Sequence, residues 1–281
     1  MNFFRTSTVA FAAAGILSLT ATVGTAGPSR IACGDAVKLT HLARPLNHFS
    51  TRLAHGDPVT ILAIGSSSTA GTGASRIEFN YPSRLEAELH RLLPNARLRV
   101  LNHGIGGEDA IEMLVRIGRE MVSEKPDLVL WQVGTNALLR EQGVGPQAVI
   151  IREGLRRIRE GGADAVLIDP QFAPKVLRDP DARPMVALLA KLADDAGVPV
   201  FRRFALMEYW HEVREIAFAD ILSPDLFHMN DWSYGCFAAS LATALKAAIS
   251  PPAGEPAKEV VSRPKGPAAG SDPVTHVSAP R

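Results

Sequence analysis

The feature that most limits how this chain can fold is a series of short, wholly apolar runs that alternate with helical segments. Residues 59–64 read Val-Thr-Ile-Leu-Ala-Ile and stop at Gly65, and residues 127–133 read Asp-Leu-Val-Leu-Trp-Gln-Val and stop at Gly134. A strand buried on both faces is continuously apolar rather than alternating, as in a parallel sheet covered by helices. Residues 98–101, 165–168 and 198–201 are three further runs. Between them, residues 81–93 place Leu85, Leu89, Leu92 and Leu93 at helical spacing and end at Pro94. Residues 109–122, a segment opening at Pro146, and residues 185–195 supply the remaining crossovers, Pro being suited to a first turn. A last helix is expected over 231–249 with Asp231 as its N-cap. Trp131, inside the third run, is expected in the core. The expected fold is α/β, a three-layer α/β/α sandwich around a central five-stranded parallel sheet with right-handed crossovers.

The two ends read differently. Residues 1–26 carry one basic residue, Arg5, then an uncharged apolar run and the small residues Gly24-Thr25-Ala26, as a cleavable export signal does. The run is short and rich in Ala, Gly and Thr, whereas a membrane span needs about 20 strongly apolar residues. An exported protein, periplasmic or extracellular, with no stable span after cleavage is expected. In such a compartment the two cysteines, Cys33 and Cys236, are expected to form one disulfide. Residues 250–281 hold seven prolines and no hydrophobic period, which is expected to be a disordered Pro/Ala-rich tail. That leaves 27–249 as one domain. A net charge of +1 gives no basic excess for nucleic acid.

In a parallel sheet ligands bind beyond the carboxyl ends of the strands, and the polar and glycine blocks fall there. Gly65-Ser-Ser-Ser-Thr-Ala-Gly71 follows the first run, where a serine hydroxyl and its own N–H can face a cleft. It is neither the G-x-S-x-G elbow nor a phosphate loop. Asn102-His-Gly-Ile-Gly-Gly107 follows the second run, its glycines allowing backbone N–H groups to approach a ligand. Gly134-Thr-Asn136 follows the third and offers a side-chain amide. Asp225-Leu-Phe-His228 precedes the last helix, and an Asp three residues ahead of a His can accept from its ring N–H.

In this order the four blocks resemble the SGNH (GDSL-like) hydrolase family, over residues 59–248. The resemblance implies the flavodoxin-like SGNH hydrolase fold and a serine esterase. It implies Ser67 as nucleophile, flanked by Gly65 and Thr69, with Asp225 and His228 as acid and base. The oxyanion hole is implied to comprise the N–H groups of Ser67 and Gly107 and the Asn136 amide. Two positions depart from the family pattern: Ser66 stands where Asp is usual, and Ala137 follows Asn136 where Asp is frequent. Neither removes a catalytic group.

Taken singly, each block has a plain structural reading, as a turn, a cap or a satisfied polar group. Convergence of four blocks on one edge of the sheet favours catalysis. Gln171 and His103 are candidates for substrate contact, although a rigid turn and a structural hydrogen bond explain them as well. Arg202 and Arg203 either meet an anionic group or face solvent. His211-Glu212 lacks the second His of a zinc motif, so no metal or other cofactor is expected. The expected substrate is a small-molecule or carbohydrate ester. The competing functions are a lipase or lysophospholipase, an acyltransferase, and a binding protein on the same scaffold without turnover.

Overall fold

The computed structural model describes residues 32–34 and 37–249. The expected export signal and Pro/Ala-rich tail lie outside the described residues. The chain divides into two units, 1–34 and 35–281. In the first, residues 32–34 have no regular secondary structure. Both cysteines are disulfide-bonded and neither is free, as expected.

The second unit carries a five-stranded, all-parallel sheet: β1 (Val59–Gly65), β2 (Leu98–Gly104), β3 (Leu128–Gln132), β4 (Asp164–Ile168) and β5 (Val200–Phe201). Their order is β2-β1-β3-β4-β5, the flavodoxin-like arrangement. Six helices of eight or more residues are described: α1 (Asn47–Ala54), α2 (Tyr81–Leu92), α3 (Ala110–Ser123), α4 (Gly145–Glu160), α5 (Ala182–Ala196) and α6 (Asp231–Ala247). The chain first steps left, from β1 to β2, and then right through β3, β4 and β5. Right-handed crossovers therefore put α2 on one face and α3, α4 and α5 on the other. α6 packs on α2, and α3, α4 and α5 pack in succession.

Several boundaries differ from expectation by a few residues, and three of the differences have a clear local reason. β2 runs on through Asn102-His103-Gly104, because its pairing with β1 continues to Gly65↔Gly104. β5 pairs with β4 only at Val200 and Phe201, since Pro199 has no N–H to give to the ladder. The N-cap of α6 is Asn230, not Asp231. The Asn230 side chain accepts from the Ser233 N–H, and Asp231 takes the Ser75 N–H and hydroxyl instead. Trp131 is fully buried, as expected. α4 lies so close to it that a Cβ on Gly154 would stand 2.3 Å from its ring. A mid-helix glycine costs roughly 1 kcal/mol against Ala, and here the indole occupies the space.

Candidate active site

The site is assembled at the carboxyl ends of β1, β2 and β3 and on the loop before α6. Past Gly65 the chain enters a single turn of helix, Ser67–Ala70, closed by Gly71 in the left-handed region (φ 104°). Ser66 and Ser68 are buried, whereas Ser67 is half-exposed. β2 presses against this turn: a Cβ on Gly104 would lie 2.1 Å from the Ala70 nitrogen. The backbone then runs beside Ser67 through Gly106, whose ideal Cβ would stand 3.9 Å from Ser67 Cβ.

The Gly107 and Glu108 carbonyls are held from β3's end. Gly134 turns the chain (φ 97°) into the short helix Thr135–Leu139. Asn136 Nδ2 donates to the Glu108 carbonyl at 2.6 Å, and Arg140 Nη2 donates to the Gly107 carbonyl at 2.7 Å. Arg140 also reaches Asp109 Oδ2 at 2.7 Å, and Arg116 grips the Glu108 carboxylate with Nη2 at 2.6 Å. Gly107 itself is in the left-handed region (φ 86°), where glycine is favoured.

His228 approaches from the opposite side. Its Nε2 lies 2.8 Å from Ser67 Oγ and its Nδ1 lies 2.5 Å from Asp225 Oδ2. Asp225 Oδ1 accepts from the Ser223 hydroxyl at 2.6 Å and from the Phe227 and His228 N–H groups at 3.0 Å. Partial burial works against the charge, but these hydrogen bonds together with that from the His228 ring outweigh it. They hold the carboxyl well below the usual carboxylate range. The turn requires Leu226 to adopt φ 51°, and the loop is closed by a bridge between Leu222 and Met229. Ser67, far in sequence from Asp225 and His228, thus meets them in one hydrogen-bonded row. Gly107 and Asn136 belong to the adjoining wall.

Gln171 lies elsewhere. It has no exposed surface, and its Oε1 accepts from Thr135 Oγ1 and Arg203 Nη2, both at 3.0 Å. It therefore backs the Thr135–Leu139 turn from inside rather than facing a substrate. Arg203 meets neither solvent nor a surface anion. It is fully buried, donates to the Asp169 carbonyl at 2.9 Å, and lowers its pKa to about 10 through burial. Burial likewise pushes the Asp169 carboxyl up to about 7. His103 turns its Nδ1 toward the Glu120 carboxylate at 3.3 Å. His211 stacks on Phe218, and its Nδ1 lies 2.9 Å from the Ile216 carbonyl. A cavity of ≈ 610 Å³ opens at the other pole of the sheet, among Arg152, Arg159, Asp164 and Gly197, away from all of these residues.

Sequence reasoning does not reach several contributors: Arg140, Arg116, Ser223, Gln132, whose Oε1 accepts from the Ser66 N–H at 3.0 Å, and Gly73, on which a Cβ would stand 3.0 Å from His228 Cβ. For Gln132 alone there was a signal, an amide at the end of an otherwise apolar strand.

No curated protein matches the sequence significantly. Among solved structures, a two-domain esterase (CEX) active on acetylated mannans superposes with TM-score 0.62 at 20% identity, covering 82% of this chain and 60% of that one. The chain thus spans about three fifths of that protein. TesA superposes with TM-score 0.58 at 20% identity, covering 67% of this chain and 99% of that one. An acetyl xylan esterase, AlAXEase, gives 0.58 at 19% identity, covering 66% of this chain and 100% of that one. These likenesses place the fold among the SGNH hydrolases. Residues 32–251 match the family described as Non-GDSL lipase-like, a name in keeping with the Gly65-Ser66-Ser67-Ser68 block, and the chain belongs to that family.

Proposed function

We propose that this protein is an exported serine carboxylic ester hydrolase acting on O-acetylated carbohydrate. The observation that carries the chemistry is the row Ser67 Oγ, His228 Nε2, His228 Nδ1, Asp225 Oδ2, with gaps of 2.8 and 2.5 Å. In the first half-reaction His228 Nε2 takes the Ser67 hydroxyl proton as Oγ bonds to the ester carbonyl carbon. The carbonyl oxygen becomes an oxyanion, facing the N–H groups of Ser67 and Gly107 and the second amide hydrogen of Asn136. The first amide hydrogen is committed to the Glu108 carbonyl, which holds the amide in place. A single such donor is worth roughly 3–4 kcal/mol in the transition state. His228 then passes its proton to the departing alcohol oxygen as the carbon–oxygen bond breaks. Water repeats the sequence on the acyl-enzyme, releasing the acid and restoring Ser67. Asp225, ionised throughout, keeps the proton of neutral His228 on Nδ1 and stabilises the imidazolium.

The acetylated-carbohydrate substrate rests on the mannan and xylan esterases of the same fold. One observation favours a longer acyl chain, as a lipase or lysophospholipase would take. Ile105 and Leu226, on the two loops that border Ser67 and His228, are 46% and 45% exposed. Turnover of p-nitrophenyl esters of increasing chain length, beside acetylated mannan and xylan oligosaccharides, separates the two. Ser67→Ala should abolish hydrolysis down to the residue left by the oxyanion donors. A fluorophosphonate adduct should map to Ser67 by mass spectrometry. A label on Ser66 or Ser68, or a Ser67→Ala protein of full activity, would overturn the assignment.

A further inference from the structure

We infer that Gln132 is the residue that positions the nucleophile, by hanging both ends of the serine turn on one buried oxygen; the inference rests on Ser67 being that nucleophile. Gln132 ends β3, a strand otherwise made of Leu, Val and Trp, and it is only 1% exposed. Burying an amide is costly unless its polar atoms are paired. Its Oε1 accepts from three donors: the Ser66 N–H at 3.0 Å, the Ser66 hydroxyl at 3.2 Å and the Thr69 hydroxyl at 3.1 Å. Because a backbone N–H can only donate, the Ser66 contact fixes which end of the amide faces the turn.

Ser66 immediately precedes Ser67, and Thr69 follows it by two. The backbone carrying Ser67 is therefore held on both sides by an atom from the neighbouring strand. The fit is close: a Cβ on Gly65 would stand 2.1 Å from Thr69 Oγ1 and 2.8 Å from Gln132 Oε1. Tyr81 supports the far side, its hydroxyl 3.4 Å from Thr69 Oγ1. Its phenol, pushed up to about 12 by burial, stays protonated. A carbonyl oxygen has two lone pairs, so three donors share it, and the gain is in placement rather than in any one strong bond. Gln132 touches none of the reacting atoms. It is a positioning residue, and it accounts for a serine at position 66, whose N–H and hydroxyl both find their acceptor in the Gln132 amide.

Gln132→Met keeps the length and removes the acceptor, whereas Gln132→Glu keeps an acceptor oxygen. With p-nitrophenyl acetate, Gln132→Met should lower kcat by about 10- to 100-fold, with KM within about twofold, because misplacement of a reacting group by 1 Å can cost about 100-fold. Fluorophosphonate labelling of Ser67 should slow by the same factor, and Gln132→Glu should recover most of the loss. Should Gln132→Met fail to fold, the Ser66→Ala/Thr69→Val double variant decides. It leaves Gln132 one donor and should lower kcat by about 3- to 10-fold. A kcat within twofold of the parent in the deciding variant, or a Glu variant no better than Met, overturns the inference. If Ser67→Ala is inactive while these variants are silent, only the role of Gln132 falls. If Ser67→Ala keeps full activity, the reading of Ser67 falls with it.

Discussion

The two halves of the proposed site are built in opposite ways. The nucleophile half is cross-braced over long sequence distances: Gln132 reaches Ser66, Asn136 reaches Glu108, and Arg140 reaches Gly107 and Asp109. Its backbone is registered by the sheet, with Gly65 opposite Gly104. The base half is nearly self-contained. Asp225 satisfies the turn that carries His228, with Ser223 as its helper and the Leu222↔Met229 bridge as its neck. The Gly107–Asp109 stretch, tied in parallel by Asn136 and Arg140, should tolerate the loss of one tie, whereas a turn organised around one carboxylate should not. The variants below test that asymmetry.

Asp225→Asn should have the largest effect. Asn Oδ1 can still accept from Ser223, Phe227 and His228, so the turn survives. The amide nitrogen in place of Oδ2, however, donates to Nδ1 and forces the ring proton onto Nε2, where it cannot accept from Ser67. Loss of the right tautomer typically costs roughly 10³- to 10⁴-fold in kcat. Steady-state kinetics alongside thermal unfolding checks this: kcat should collapse while the midpoint moves little. Asp225 is held well below the usual carboxylate range, so its ionised form persists into mildly acid solution. An acid limb in the parent pH–rate profile is therefore not Asp225 taking up a proton, and its position should not follow Ser223→Ala.

Gly73→Ala should come next. A Cβ there would stand 2.4 Å from the Met229 carbonyl and 3.0 Å from His228 Cβ, at a φ of 93° that L side chains rarely adopt. The His228 loop must move, and we expect a loss of about 10- to 100-fold in kcat. Gly56→Ala is the control, because its φ is also positive (70°) but its Cβ would meet nothing within 4 Å. Both should lose about 1–3 kcal/mol of stability from strain, and only Gly73→Ala should lose turnover. Equal kinetics for the two would mean that the base loop is less rigid than its geometry implies.

This asymmetry also governed what could be read in the sequence. The base half was legible because Asp225 and His228 share one turn, so their partnership is a spacing of three. The strands were legible because burial on both faces leaves an apolar run. Gln132 was visible only as an anomaly, since its partner Ser66 lies 66 residues away. Gln171 and Arg203 were misplaced for the same reason. A polar side chain just past a strand reads as a cleft contact, as Gln171 does, or as one that meets an anion or solvent, as Arg203 does, and nothing local shows that Arg203 will bury itself against the Asp169 carbonyl and the Gln171 amide. Asp231 reads as the cap of α6 because it is a good capping type. Asn230 is equally good and stands one residue nearer, and Ser75 claims Asp231 from 156 positions away.

The smallest effect should come from Arg140→Met, on the braced side. The guanidinium donates to the Gly107 carbonyl and to Asp109, with the Glu112 carboxylate 3.3 Å away, yet its side chain is 41% exposed. The guanidinium is open to water although Asp109 is buried, and water can take over the carbonyl of the exposed Gly107. Asp109 keeps the Ile111 N–H and Gln142 Nε2, so α3 stays capped. Asn136 still holds the Glu108 carbonyl from the same short helix, which leaves Gly107 tethered one residue away. Freed of its own tether, the Gly107 N–H should sample orientations off the oxyanion, costing about 3- to 10-fold in kcat with KM nearly unchanged. Arg140→Lys, which restores charge but not the forked reach to two acceptors, should recover only part of it. A loss as large as that of Gly73→Ala would show that the brace is not redundant and that Arg140, rather than Asn136, sets the oxyanion wall.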